Sequence, residues 1–234
     1  MKRILLISFC LLMIFSGFSQ RKYKTESMLN YQKIDQKRLH FGFTLALNSM
    51  DFALYNSGVG DARAEQVIVS PGFSVGIVSD LQLHENWALR FLPGLEFGER
   101  IINYSGLPQI ETKIESVLVN LPLQLKFRSK RINNYRPYLI GGASYKFDVQ
   151  AQTSIDPNKD ILIRLNQTDV YLEFGAGIDF YLPYFKLATE LKLAIGMKDI
   201  LNHEYDIENP GQEAYTDAIR KLNSKIVTLS FHFE

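Results

Sequence analysis

One alternation of side chains constrains the fold of this chain more than any other feature. In the stretch YLEFGAGIDFY at 171–181, every second residue is apolar, and the residues between are tyrosine, glycine or a carboxylate. A strand with this period of two presents one apolar face and one polar face. The pattern recurs in eight segments, at about 39–48, 71–83, 86–99, 115–128, 135–149, 171–181, 184–197 and 225–233.

The polar phase of these segments differs from the solvent face of a soluble sandwich. It mixes glycines and small residues with isolated charges of both signs, as in a confined interior where opposite charges pair. An apolar face toward lipid and a polar face toward a lumen is the pattern of a membrane barrel, and eight strands enclose a lumen that side chains can fill. We therefore predict an all-β fold, an eight-stranded antiparallel transmembrane β-barrel. Its luminal charge network, which we interpret as structural, comprises Arg90, Glu96, Lys126, Lys146, Glu173, Asp179, Glu190 and Lys192.

The connections between the segments are alternately long and short. Long ones fall at about 49–70, 100–114, 150–167 and 198–224, and short ones at 84–86, 129–134 and 182–184. Outer-membrane barrels have short periplasmic turns and long extracellular loops, so both termini are expected on the periplasmic side.

Two features of the segments need separate interpretation. Pro93 and Pro122 fall inside the third and fourth strands, where each removes a backbone donor, so they mark either bulges or a broken strand. In the last long connection, QEAYTDAIRKLNS places Tyr215, Ile219 and Leu222 at helical spacing after Pro210-Gly211. That spacing predicts one short helix in the last extracellular loop.

The N-terminus has the organisation of a cleavable signal peptide. A basic start is followed by an apolar run over 4–15 and by small residues at Gly17 and Ser19. We expect a signal peptide at 1–19, a periplasmic leader at 20–38 and the barrel at 39–234, with export to the outer membrane. The single cysteine, Cys10, lies inside the signal segment, which excludes disulfides and thiol catalysis in the mature chain.

The charge balance excludes nucleic acid as the main partner. The chain has 26 basic and 25 acidic residues. Loss of Lys2 and Arg3 with the signal peptide leaves 24 basic against 25 acidic residues, so the basic excess of a nucleic-acid-binding domain is absent. The expected partner is instead the lipid bilayer of the outer membrane.

The sequence indicates no catalytic, cofactor or metal site. His40 and His232 belong to the inward phase at the periplasmic ends of the first and last strands, which barrel closure makes neighbours. They can be read as a general base near Ser230 or as polar plugs at the periplasmic rim of the lumen, and we favour the plugs. The histidines are scattered, so no metal cluster is expected and no cofactor is assigned.

Several segments together resemble one known family. They are LHFGFTLALNSMDF (39–52), PGFSVGIVSDLQLHENWALRFLPGLEFGER (71–100), LPLQLKFRSKRINNYRPYLIGGASYKFDV (121–149), LEFGAGIDFYLPYFKL (172–187) and the ending SFHFE. The chain resembles the PorT family, called SprT in gliding bacteria.

The resemblance implies an outer-membrane component of the type IX secretion system, required for gliding motility where present. It also implies other secretion components as partners and carries over no catalytic residue. The alternatives are a small generic outer-membrane barrel, a porin-like or solute-binding barrel, or a lipid-modifying enzyme.

Overall fold

The computed structural model of the protein describes residues 29–31, 37–58, 63–105, 111–151, 164–202 and 219–234. The signal segment 1–19, most of the leader and residues 203–218 lie outside the described residues. Ten strand segments account for the regular structure: β1 Leu39–Asn56, β2 Arg63–Val69, β3 Pro71–Gln82, β4 Trp87–Phe91, β5 Gly94–Ser105, β6 Glu111–Arg128, β7 Tyr135–Asp148, β8 Thr168–Tyr181, β9 Lys186–Gly196 and β10 Ile219–Phe233.

The strands close into a barrel. Every ladder is antiparallel, and the ring runs β1-β10-β9-β8-β7-β6 and then through β4 and β5 to β3, which pairs back with β1. β4 and β5 both lie between β3 and β6 and together form one interrupted strand. Eight strands therefore surround the lumen, as predicted. The first and last strands meet at the seam between β1 and β10, which extends from Phe43 opposite Phe233 to Asn56 opposite Ile219. Closure leaves no sheet edge for lipid to face.

The interruption between β4 and β5 is a gap in the ladder and not a bulge. Phe91 lies opposite Leu123 and Gly94 lies opposite Asn120, so the register is unchanged across Leu92-Pro93. Pro93 has no N–H to donate, which breaks the ladder. Its carbonyl still accepts a hydrogen bond from the Ile77 N–H at 2.9 Å. Pro122 stays inside β6.

Several strands continue past their predicted ends. β1 reaches Asn56 and β5 reaches Ser105, and β2 pairs with β5 over Arg63–Val69. The predicted helix in the last connection is wrong for 219–224, since these residues form the start of β10 and pair with β1. Within the described part of the chain, no helix is long and apolar enough to cross a membrane.

We call the end of the barrel with the short connections the turn end, and the opposite end the loop end. At the turn end, Ile132 and Tyr135 exchange backbone hydrogen bonds of 3.0 and 3.1 Å around a tight turn. Asn133 adopts a positive φ of 52° there, which asparagine tolerates better than most residues. Leu182 N–H likewise bonds the Phe185 carbonyl at 3.0 Å to close the β8–β9 turn.

The outer wall of the barrel is apolar around its circumference. Side chains such as Phe41, Ile77, Leu123, Leu139 and Leu191 are more than half exposed. Stacked aromatic pairs lie toward both ends of the wall. Phe43 stacks on Phe233 at 4.8 Å toward the turn end, and Phe73 stacks on Phe97 at 4.6 Å toward the loop end. These pairs suit the interfacial girdles of a membrane barrel.

The register of β10 gives a direct test of strand against helix at residues 219–224. Tyr55 lies opposite Lys221 across the seam, and both side chains are exposed. We expect a Tyr55→Cys/Lys221→Cys variant, in a Cys10→Ser background, to form a disulfide on oxidation. It should be visible as altered mobility of the unfolded chain on non-reducing gels.

The matched control is Tyr55→Cys/Leu222→Cys. Leu222 is buried on the inner face, so its thiol points to the opposite side of the wall. Equal crosslinking in both variants would contradict the strand register.

Candidate functional site

The lumen holds the chemistry of this molecule. Each of the eight charged side chains that the sequence places there is at most 6% exposed. They come from β4 to β9 and point inward because they share the phase opposite to the lipid-facing residues. The structure arranges them, with further polar residues, in three layers between the turn end and the loop end.

The layer nearest the turn end is centred on Arg90. Its guanidinium lies 2.9 Å from Glu190 Oε2 and 3.4 Å from Asp80 Oδ2. Lys126 Nζ lies 2.8 Å from Asp179 Oδ1 and 3.9 Å from the same Asp80 oxygen. Asp80 therefore lies between two cations and joins the Arg90 and Lys126 pairs into one network. Such pairing is required because an unpaired buried charge costs several kcal/mol.

Tyr138 covers this layer. Its hydroxyl donates to Glu190 Oε2 at 2.9 Å, and Lys126 Nζ lies 3.7 Å from the ring centroid. The ring lies against Gly177, and a Cβ at that position would overlap it. A glycine in the inward phase of β8 thus makes room for a large side chain from β7.

The middle layer consists of two ion pairs with amide and hydroxyl partners. Lys146 Nζ lies 2.6 Å from Glu96 Oε2, and the Asn120 side-chain amide donates to Glu96 Oε1 at 2.8 Å. Lys192 Nζ lies 3.3 Å from Glu173. The Glu173 carboxylate also accepts hydrogen bonds from the Gln124 amide and, at 2.9 Å, from the Ser144 hydroxyl.

The layer nearest the loop end changes from polar to apolar. The Arg100 guanidinium donates to the hydroxyls of Ser224 (3.0 Å) and Ser116, and lies 4.1 Å from the centroid of the Phe52 ring. Beyond it lies a cluster of buried apolar side chains, which we call the apolar plug: Phe52, Ile102, Ile114, Leu165, Ile200, Leu201, Ile219 and Leu222. Leu165 and Leu201 form a β-bridge outside the strands, so these connections contribute to closing the barrel interior.

The interior is filled by these side chains. Two luminal cavities lined by described residues have volumes of about 30 and 20 Å³. A cavity needs roughly 10–15 Å³ of such volume to hold one water molecule. Each cavity therefore admits only about one or two waters and is too small for a nutrient-sized solute. Among the described residues, no group of three or more His, Cys, Asp or Glu side chains is arranged to hold a metal ion.

The turn end is closed by the last residue of the chain. Lys186 Nζ lies 2.6 Å from Glu234 Oε2, and the two residues exchange backbone hydrogen bonds of 2.7 and 2.9 Å. Burial alone would raise the pKa of the Glu234 carboxyl. The positive charges of Lys186, Lys126 and Arg90 together outweigh burial and hold the pKa below its ordinary value of 4.5.

The two histidines do not form the predicted rim pair, although both are buried in the inner wall. His232 lies opposite Thr44 across the seam, so His40 is four residues further along β1, beside Asp80 of β3. The His232 Nε2 atom lies 3.6 Å from Glu190 Oε2. The prediction assumed that ends of neighbouring strands lie at one level, and the stagger of a closed barrel separates them.

Sequence reasoning missed seven further charged residues of the lumen: Asp80, Arg100, Arg128, Asp148, Asp169, Lys186 and Glu234. All seven belong to the inward phase. Asp80, Arg128, Asp148 and Lys186 lie within predicted strands, so the alternation already placed them inward. The other three lie one or two residues beyond a predicted strand end, and extending the alternation would have found them.

The described piece of the leader contacts the turn end. The Asn30 N–H donates to Asn134 Oδ1 at 2.9 Å, and its side-chain amide donates to the Tyr181 carbonyl at 3.3 Å. Arg131 donates to the Asn30 carbonyl, and its guanidinium lies 3.7 Å from the centroid of the Tyr181 ring. Asn30 is thus held beside the β6–β7 turn.

Comparison with known proteins identifies a family. The sequence model described as "Outer membrane protein beta-barrel domain" matches residues 18–202, well over half of the chain. No curated protein sequence matches the chain.

Solved structures of small barrels are similar at low identity. Neisserial surface protein A has 12% identity and a TM-score of 0.41, covering 84% of this chain and 98% of that one. OprG from Pseudomonas aeruginosa has 13% identity and a TM-score of 0.43, covering 83% and 91%. Ail of Yersinia pestis, in complex with the heparin analogue sucrose octasulfate, has 11% identity and a TM-score of 0.39, covering 82% and 96%.

The packing of the Tyr138 ring against Gly177 predicts unequal effects of alanine substitution on stability at two glycines. Gly177→Ala forces the ring away from Glu190 and should lower the free energy of unfolding by about 1–3 kcal/mol. Gly141→Ala is the matched control. Its Cβ would point outward and meet only Phe174 Cδ1, at 3.9 Å, so a change within about 0.5 kcal/mol is expected. Urea unfolding in lipid vesicles measures the free energy of unfolding of both variants. Equal losses would contradict the packing of Tyr138 against Gly177.

The Lys186–Glu234 pair predicts a pH-dependent stability. Glu234→Gln leaves the buried Lys186 charge without its carboxylate and should cost about 3–5 kcal/mol at neutral pH. Since the folded-state pKa of Glu234 is lowered, its contribution is lost as pH falls through that lowered value. The difference between wild type and variant should therefore shrink in acid.

The measurement is the temperature at which the folded band converts to the unfolded band on unboiled gels, taken at several pH values. Lys186→Met/Glu234→Leu is the control and should recover most of the loss, because it removes both charges. A difference that stays constant with pH would contradict the role of the ion pair.

Proposed function

The chain belongs to the outer membrane protein beta-barrel domain family, and within it we propose a non-enzymatic accessory component of type IX protein secretion. Where cells glide, the same component serves gliding motility. Family membership places the protein in the outer membrane. The turn end is then periplasmic and the loop end extracellular. We further propose that residues 1–19 direct export and are removed.

The observation that carries this proposal is the filled lumen. Three layers of ion pairs and the apolar plug occupy the interior along its length. An eight-stranded barrel filled in this way has no path for a folded cargo. The protein is therefore not the translocon itself, and its working surfaces are the loops, the leader and the outer wall.

The choice of type IX secretion is supported by the sequence. The segments at 71–100 and 121–149, together with the ending SFHFE, resemble the PorT family in order and spacing. In the structure these segments form β3, β4 and parts of β5 and β6, then β7 and the end of β10, and they include two of the turns at the turn end. A periplasmic face that holds Asn30 of the leader is a suitable contact surface for other secretion components.

Catalysis is not part of the proposal. Ser230 and His232 point into the lumen, where both are buried. A lipid-modifying enzyme needs its nucleophile within reach of lipid. His232 instead lies beside Glu190 of the ion-pair network, which suits a structural role.

The proposal predicts a defined secretion phenotype. Deleting the gene should leave cargo with C-terminal export domains inside the cell, with normal uptake of small solutes. Immunoblots of medium and cell fractions measure the first, and entry of a small antibiotic measures the second. Continued secretion with failing solute uptake would replace this proposal with the porin-like alternative.

A luminal variant distinguishes the secretion role from the porin-like alternative further. Lys126→Met/Asp179→Leu exchanges a buried ion pair for apolar side chains of similar size, which is often neutral for stability. It should restore secretion to the deletion strain as well as wild type does. Neither protein should show steady conductance in planar bilayers.

A further inference from the structure

The outer wall of the barrel has a groove at its periplasmic end. It spans β7, β8 and β9 with flanks on β6 and β10 and has a volume of about 610 Å³. Its outward-facing lining is almost entirely apolar and includes Phe127, Leu139, Ala176, Ile178 and Leu191. Sites for small organic ligands have volumes of roughly 300–1,000 Å³, so the groove is large enough for one.

The strand register explains why the wall is indented here. Around the barrel at one height, Phe127 pairs with Leu139, Leu139 with Ala176, and Ala176 with Leu191. Ala176 is the one small side chain in this row, between leucines that are each 58% exposed. In the next row toward the periplasm, Pro137, Ile178 and Thr189 are consecutive partners. Short side chains therefore form the floor, and long ones form the rims.

The groove opens toward a basic turn. Ser129 and Pro137 both line it, and the segment between them, SKRINNYRP, contains three basic residues and no acidic residue. Lys130 directly follows Ser129, and its side chain is exposed. At the same end of the barrel, Tyr184 in the β8–β9 turn is 89% exposed. Tyrosine is favoured at the depth of lipid headgroups.

We propose that this groove is a binding site for one anionic glycerophospholipid of the periplasmic leaflet. An acyl chain lies along Ala176 between the leucine rims, and the phosphate lies beside the Lys130 ammonium group. The bilayer offers any acyl chain an equally apolar environment. Selectivity therefore comes from the shape of the indentation and from the charge of the turn.

Charge complementarity favours this occupant over the alternatives. A second copy of the chain would bring the same basic turn against itself at a two-fold interface, which like charges oppose. A lipid of the outer leaflet would have its headgroup at the loop end, far from Lys130. The inference depends on the outer-membrane family of the chain and not on its role in secretion.

The test is native mass spectrometry of protein released from vesicles of equal phosphatidylglycerol and phosphatidylethanolamine. Wild type should retain one phosphatidylglycerol molecule in preference to phosphatidylethanolamine. Ala176→Phe fills the floor of the groove and should abolish retention. Ala143→Phe is its matched control, since Ala143 is also an exposed alanine on the outer wall but does not line the groove.

The headgroup contact is tested separately. Lys130→Gln should lower the preference for phosphatidylglycerol about fivefold, the effect expected from one basic residue near an anionic headgroup. Lys221→Gln, at an exposed position near the loop end, should leave the preference unchanged. All variants are first shown to fold by their unboiled mobility on gels.

Three results would overturn the proposal. One is equal lipid retention by the Ala176→Phe and Ala143→Phe variants. Another is equal retention of the two lipids by wild type. The third is a dimer mass in place of a lipid adduct, lost in Ala176→Phe, which would assign the groove to a second copy of the chain.

Discussion

The architecture depends on ion pairs that cross a narrow interior. Arg90 on β4 and Glu190 on β9 are separated by three strands on one side of the ring, so their 2.9 Å contact spans nearly the full diameter. A charge buried there without a partner costs several kcal/mol, and the cross-lumen contact removes that cost only if the barrel keeps its strand number and stagger. The pair therefore favours a barrel of this size over a wider or open one.

The same alternation that supplies these pairs determines the outer wall. Inward charges such as Arg90 and Glu173 are flanked by outward apolar residues, so a strand that slips by one residue would expose its charge to lipid and bury its leucines in the lumen. Both errors are expensive in a bilayer. Register is thus specified from both faces of the wall, which explains how an interrupted strand at Leu92-Pro93 keeps its alignment with β3 and β6.

These constraints decide what the sequence could predict. The period of two identified all eight strands and the burial of residues such as Lys126 and Glu173, because both follow from phase alone. The alternation did not determine where strands end beyond the membrane, since polar residues there follow neither the period of a strand nor that of a helix. Ile219 and Leu222 fit a helical spacing although they pair with β1. The stagger between His40 and His232 was also not predictable, because it depends on how the last strand meets the first. The packing of Tyr138 on Gly177 required the register of β7 against β8, in which the two residues are direct partners.

The tripeptide Gly175-Ala176-Gly177 of β8 connects the inside of the barrel to its outside. Gly177 faces the lumen, and its missing side chain admits the Tyr138 ring that bonds Glu190. Ala176, one residue away, faces lipid and forms the floor of the outer groove. A larger residue at 177 would disturb the ion-pair network, whereas a larger residue at 176 would fill the groove and leave the network in place. The two positions can therefore be varied separately, so that stability and lipid binding can be measured independently on one strand.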